Sequence, residues 1–279
     1  MELKQNIKEW IVKTGYPFEL WTESKLSKYG YSAYSSTFYF DSENSLYREL
    51  DLEAIKYWSD DNDEILFELY MVIECKKSDK PFILLENTNR KPSVLSMGEY
   101  LTLDDAYCGL AINNPNSILN LPENSGVGFK LIQGFVNGDE VSNRAINTLV
   151  KSYNFRNKEL AENIESSINQ NMNSILLPIL LIDAPFYAAS IDSMGEVELR
   201  DICCAKLYTN THLSHTGTPF PIIVVKKDFL ESFLESLDRF GENNLLFLEQ
   251  NPMYNIKNFD IRKLVIVPNK TNHTKDKEG

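Results

Sequence analysis

The sequence predicts an α/β fold in which one mixed β-sheet is flanked by helices. Three observations carry this reading. Apolar residues at helical spacing open the chain, three β-rich runs separated by polar turns follow, and strand and helix patterns alternate through the second half. At 279 residues, 43% hydrophobic and 24% charged, the chain has the balance of a globular protein with an adequate core, which excludes wholesale disorder, collagen and coiled coil.

Residues 3–29 read as helix, because Ile7, Trp10, Ile11, Leu20, Trp21 and Leu26 recur near helical spacing, and Gly15-Tyr16-Pro17 splits it in two. From Tyr31 the pattern turns aromatic and β-branched with two-residue alternation, in Tyr31 to Phe40, Leu46 to Trp58 and Ile65 to Cys75. The polar runs 41–44 and 59–63 between them make a three-stranded antiparallel meander. Phe82 to Leu85 is expected as a fourth strand, whereas residues 87–140 carry no clear pattern. Val141 to Tyr153 is an expected helix with Asp139 or Ser142 as cap. Ile175 to Ile182 is apolar throughout and reads as a buried strand. Phe186 to Ile191 and Val197 to Tyr208 read as a hairpin across Ser193-Met194-Gly195. Ile222 to Val225 is a further strand, Asp228 caps an expected C-terminal helix Phe229 to Phe240, and Leu264 to Val267 is a last strand. No repeat or linker divides the chain, so one elaborated domain is expected over 1–268, followed by a disordered polar tail, 269–279.

No apolar run reaches the ~20 residues that span a bilayer, and the first residues lack the apolar segment of a leader peptide. Four cysteines, two of them adjacent at 203 and 204, do not make a disulfide framework. A cytoplasmic protein without a membrane partner is expected. The net charge of −12 argues against polyanion binding over the whole surface, so any nucleic-acid contact must be local.

The chemistry concentrates in the meander. Folding its second and third strands about Asp61 sets Asp51 opposite residues 70–72, with Glu74 as a diagonal neighbour within ~8 Å. Side chains alternate along a strand, so Glu74 and Lys76 share one face while Cys75 turns to the other. Two carboxylates and an ammonium therefore converge. Hard oxygen ligands suit Mg²⁺, with Mn²⁺ as substitute, which takes one or two carboxylates plus phosphate oxygens. A lysine beside it orients an attacking water and offsets phosphate charge. The competing reading is a solvated, ion-paired sheet face worth ~0–1 kcal/mol per pair.

Asp51 followed by Glu74-Cys75-Lys76 resembles the core acid and acid-x-Lys of the PD-(D/E)xK nucleases, the restriction-endonuclease-like superfamily. Glu19, in Gly15-Tyr16-Pro17-Phe18-Glu19, matches the acid that many members carry on the first helix. The order of helix, three-strand meander and further strand is also that of the family core. Leu50 stands where the family often has proline. The resemblance implies a restriction-endonuclease-like core with an additional hairpin and C-terminal helix. It implies Asp51, Glu74, the backbone carbonyl of Cys75 and the auxiliary Glu19 as metal ligands, with Lys76 as the water-orienting group. Glu49 and Glu53, expected on the same face, are possible substitutes for Asp51. The implied activity is metal-dependent phosphodiester hydrolysis, of DNA above all, and family habit adds restriction or phage defence as a setting.

Between Val141 and Lys158 there is no acid, and Arg144, Lys151, Arg156 and Lys158 are spaced along the expected helix. These four are the expected nucleic-acid contacts, with a solvated helix face as the alternative. Cys203 and Cys204 with His212 and His215 invite a zinc site, but core thiols and loop histidines fit the pattern better. A different class of function also fits: a non-catalytic interaction or regulatory protein that keeps the nuclease-like scaffold, with a homodimer mate or partner protein supplying DNA affinity.

Overall fold

A computed structural model describes residues 2–62, 65–86, 94–96, 118–166, 171–208 and 221–250. The expected break falls between helix α1 (Glu2–Lys13) and helix α2 (Tyr16–Lys28), with Pro17 in the first turn of α2. α2 ends where the N–H groups of Gly30 and Tyr31 bond back to Ser27 and Leu26. Gly30 supplies the left-handed backbone (φ 81) that this stop needs. The chain then enters β1 (Ser32–Asp41), β2 (Leu46–Ser59) and β3 (Ile65–Lys77), paired antiparallel as the expected meander.

The remaining strands are β4 (Phe82–Glu86), β5 (Val94–Ser96), β6 (Ile118–Asn120), β7 (Gly126–Gln133), β8 (Asn171–Asp183), β9 (Phe186–Ile191), β10 (Val197–Asp201), β11 (Cys204–Tyr208) and β12 (Pro221–Lys226). Together with β1, β2 and β3, all but β5 and β6 form one mixed ten-stranded sheet in the order β1-β2-β3-β8-β12-β11-β7-β4-β9-β10, while β5 and β6 pair separately. Helix α3 (Glu140–Ser166) precedes β8, and helix α4 (Leu230–Gln250) follows β12 after a short 3-10 turn, Lys227–Phe229. β8 lies between β3 and β12 and runs parallel to both. Its Pro178 stands just before Ile179, where the ladder with β12 begins, so the missing donor interrupts no bridge on that side.

Two apolar clusters cover the sheet. Phe18 and Leu26 of α2 and Leu230, Phe233 and Leu237 of α4 pack with Leu52, Met71 and Ile73 on one face. Ala145, Leu149, Val150 and Tyr153 of α3 pack with Leu50, Val72 and Leu180 on the other. α1 buries no residue, and its Leu3, Ile7 and Trp10 are exposed. Among the described residues no helix is long and apolar enough to cross a membrane.

The fourth strand forms where expected, as β4, and sits between β7 and β9. Several expectations need correction. The run from Val197 to Tyr208 breaks at Ile202 and Cys203: β10 pairs with β9, whereas β11 leaves to join β12 and β7. α3 continues past Tyr153, and α4 starts at Leu230 after the 3-10 turn that contains Asp228. Leu264 to Val267, the tail 269–279, Cys108, His212 and His215 lie outside the described residues.

α4 docks on the meander through a glycine. A Cβ at Gly241 would stand 2.3 Å from the Trp58 ring, and Lys56 on the same strand reaches Asp238 at 2.6 Å. Alanine for glycine in a helix ordinarily stabilises by about 1 kcal/mol. Here the outcome is reversed: Gly241→Ala should destabilise by about 1–3 kcal/mol through overpacking, measured by urea denaturation. A stabilised variant would mean that α4 does not approach β2 this closely.

Candidate active site

The site begins with an irregularity in the meander. The β1–β2 ladder pairs Ser35 with Leu52 and Thr37 with Leu50 but is interrupted at Ser36 and Asp51, where Ser36 has φ 53. Leu50 and Leu52, two residues apart, would share a face of a regular strand. Instead Leu50 packs on the α3 side and Leu52 on the α2 and α4 side. The strand inverts its faces at Asp51. The β2–β3 ladder ends at Leu52 and Ile73, so Asp51 stands level with Glu74, not with residues 70–72. The reason is the turn, because Ser59 pairs with Leu66 and shifts the register by about three residues from a fold about Asp61.

Freed from the ladder, the Asp51 carboxylate accepts the Cys75 N–H at 2.7 Å. The Lys76 ammonium lies among three oxygens: it donates to Glu74 Oε1 at 2.6 Å and to the Cys75 carbonyl at 3.0 Å, and is 3.5 Å from Asp51 Oδ2. Glu74 is 8% exposed and the other two 22%, so this is no solvated sheet face. Cys75 turns to the α2 side as alternation requires, with its Sγ 3.9 Å from Thr22 Oγ1, and Lys77 is exposed.

Burial pushes the Glu74 carboxyl up to about 7, and the negative charges of Asp51 and Glu19 add to the rise against the pull of Lys76. Glu19 on α2 is likewise raised to about 7, by burial first and by Asp51 and Glu49 after it. Burial alone would lower the Lys76 pKa, but Glu74 and Asp51 outweigh it and the ammonium is held more firmly than usual. The Cys75 thiol is pushed well above its ordinary value by burial, so this residue offers its carbonyl and not a thiolate.

Among the described residues, no three His, Cys, Asp or Glu side chains form a ready-made metal cage. The donor set that exists is two carboxylates and a carbonyl, with Glu74 Oε2 buried and without a hydrogen-bond partner. That set fits a cation such as Mg²⁺, which is completed by water and phosphate oxygens, and the orphaned oxygen is an acceptor awaiting a donor or a cation.

The other expected residues are placed differently. Glu53 does not stand beside Asp51: it is buried on the α3 side, where Arg156 Nε approaches to 2.5 Å and the Tyr70 hydroxyl donates at 2.9 Å. Glu49 is exposed. Arg156 also bonds Glu159 and the Phe38 carbonyl. Lys151 binds Asp41 at 3.0 Å and Glu43 at 2.6 Å, so both are engaged within the chain. Arg144 is exposed with a surface partner in Glu140, and Lys158 is exposed. Cys204 is a core thiol, fully buried, whereas Cys203 is only half-buried and meets Asn124. The Tyr70–Glu53–Arg156 network escaped sequence reading, although Tyr70 and Glu53 on facing strands were a signal for it.

Two outcomes follow. Arg156→Ala should cost about 3–5 kcal/mol, since it strands Glu53 as a buried charge, whereas a loss below 1 kcal/mol in a denaturation curve would make the pair a surface feature. For Glu19 the folded pKa lies above the unfolded one. The native state therefore keeps a proton that the unfolded chain loses, and stability falls as pH rises from about 4.5 to about 7. Glu19→Gln should flatten that slope and gain about 1 kcal/mol at pH 8, allowing for solvent screening. Melting curves from pH 4 to about 8 test it, and an unchanged slope would remove Glu19 from the cluster.

No protein-family model, curated protein or solved structure significantly matches this chain.

Proposed function

We propose that this protein is a metal-dependent nuclease that hydrolyses phosphodiester bonds, with DNA as its expected substrate, on a restriction-endonuclease-like core. The observation that carries the reading is the convergence of Asp51, Glu74 and the Cys75 carbonyl on the Lys76 ammonium at the carboxyl end of β3. The element order supports it. α2 and the meander β1-β2-β3 follow the order of helix and three-strand meander implied by the resemblance to PD-(D/E)xK nucleases, and β8 adjoins β3 as a further strand.

A bound Mg²⁺ or Mn²⁺ would polarise the scissile phosphate and acidify a water. Asp51 and Glu74 supply the charge that draws the cation in, and the Cys75 carbonyl supplies a neutral third oxygen. Lys76 supplies the ammonium that orients the attacking water and offsets phosphate charge. Glu19, with a pKa of about 7, holds or releases a proton near neutrality as an auxiliary ligand or a hydrogen-bond partner of Lys76. A second reading, a non-catalytic interaction protein on the same scaffold, is favoured by the net charge of −12 and by the internal pairing of Lys151 and Arg156.

The deciding experiment incubates the purified chain with plasmid and linear DNA in Mg²⁺, Mn²⁺ or EDTA. Cleavage should need the metal and fall by about 10²- to 10⁴-fold in Asp51→Asn, Glu74→Gln and Lys76→Ala. A folded wild-type chain that cleaves nothing would support the scaffold reading instead. Calorimetry separates the roles: Glu74→Gln should weaken Mn²⁺ binding at least roughly tenfold. Lys76→Ala should tighten it about tenfold, because an ammonium hydrogen bond no longer competes for the same oxygens. Weaker binding in Lys76→Ala would contradict that competition.

A further inference from the structure

The pairing of Lys151 and Arg156 with acids of this chain leaves open which cations meet a polyanionic substrate. A different group of lysines stands beside the candidate catalytic cluster. β3, β8 and β12 are adjacent and parallel, and open α/β sheets bind ligands outside the carboxyl ends of such strands. Lys76 pairs in register with Ile182, and Ile182 with Lys226. Lys76 and Lys226 therefore share one row and one face with a single strand between them. At 4.7–4.9 Å per strand, their Cα atoms are about 10 Å apart.

The next row begins with Lys77, in register with Asp183. Lys77 turns to the Cys75 face, opposite to Lys76 and Lys226, is exposed and makes no ion pair among the described residues. Asp183 is already neutralised by Lys227 at 2.8 Å, whose ammonium also lies over the Phe18 and Trp21 rings of α2. Among the described residues the ion partner of Lys226 is the exposed Asp228 at 3.9 Å, a pair that water screens. Two cations thus remain available at this rim among the described residues, one on either side of the β8 terminus: Lys77 flanks it on the Cys75 face and Lys226 on the Lys76 face.

We propose that Lys77 and Lys226 form a phosphate-tracking rim that carries the backbone of a nucleic acid across the carboxyl ends of β3, β8 and β12 to Lys76. This rests on the nuclease reading above and adds the route by which the substrate arrives. Asp51, Glu74 and Glu19 repel phosphates, and so does the chain as a whole. Ammonium groups on both faces of the strand ends favour approach beside the cluster. Phosphates recur every 3.4 Å of axis along each strand, so the row spans about three nucleotides. Contacts to phosphate carry no base information.

The test is fluorescence anisotropy of a short labelled duplex in EDTA, where no cleavage occurs, over a series of salt concentrations. Lys77→Glu with Lys226→Glu should weaken binding more than about tenfold at low salt and reduce the log–log salt slope by up to about two units. A second, unrelated duplex should respond equally, and Mn²⁺ affinity should stay at the wild-type value. Lys77→Arg with Lys226→Arg should retain binding. The control Lys4→Glu with Lys8→Glu on α1 changes net charge equally and should retain most of the affinity. Wild-type affinity and slope in the rim variant, with an unchanged melting curve, would overturn the rim and leave the nuclease reading standing, as would an equal loss in the α1 control. A wild-type chain that binds neither duplex at the lowest salt would overturn the nuclease reading and the rim together.

Discussion

Every group of the candidate site depends on one hydrogen bond, from the Cys75 N–H to the Asp51 carboxylate, made where the meander's ladders break off. A side-chain oxygen there takes the part of a strand carbonyl, which fixes Asp51 against the backbone of β3 and keeps it level with Glu74. The same break inverts the faces of β2. Leu50 can then pack under α3 while Leu52 and Ala54 pack under α2 and α4, so the two cores meet at this point.

The electrostatics separate residues that hold the fold from residues that wait for a partner. Glu53 is buried, but Arg156 and Tyr70 satisfy it. Asp41, also buried, receives bonds from Asn44, Lys151 and Arg48, which hold its carboxyl well below the usual range although burial opposes this. Glu74 is buried to a similar degree with one oxygen unbonded and its pKa raised to about 7. Glu74 and Asp51 share one lysine, with the charge of Glu19 close enough to raise the Glu74 carboxyl. The raised carboxyls of Glu74 and Glu19 fit a cation-binding or catalytic centre, and this contrast with Glu53 and Asp41 is the strongest physical argument for function among the described residues.

Much of this was legible in the sequence. Alternation in Tyr31 to Cys75 marked all three strands of the meander, and Ile175 to Ile182 read correctly as a buried strand. The alternation rule also put Glu74 and Lys76 on one face with Cys75 on the other. What failed was long-range or depended on local backbone. The face inversion at Asp51 rests on a left-handed Ser36, a conformation that the serine itself does not announce. The position of β4 was illegible because strand order is set by packing between distant segments. Lys151 and Arg156 looked free because Asp41, Glu43 and Glu53, which bind them across the fold, lie more than ninety residues away in sequence.

The central claim is that Asp51, Glu74 and the Cys75 carbonyl hold a divalent cation in the place that the Lys76 ammonium now shares. An anomalous difference map from crystals soaked in Mn²⁺ tests it most directly. The expected peak is bonded to Asp51, Glu74 and the Cys75 carbonyl, with Lys76 Nζ drawn away from Glu74 Oε1. A saturating soak that leaves Lys76 on Glu74 and places the manganese elsewhere, or nowhere, would contradict it.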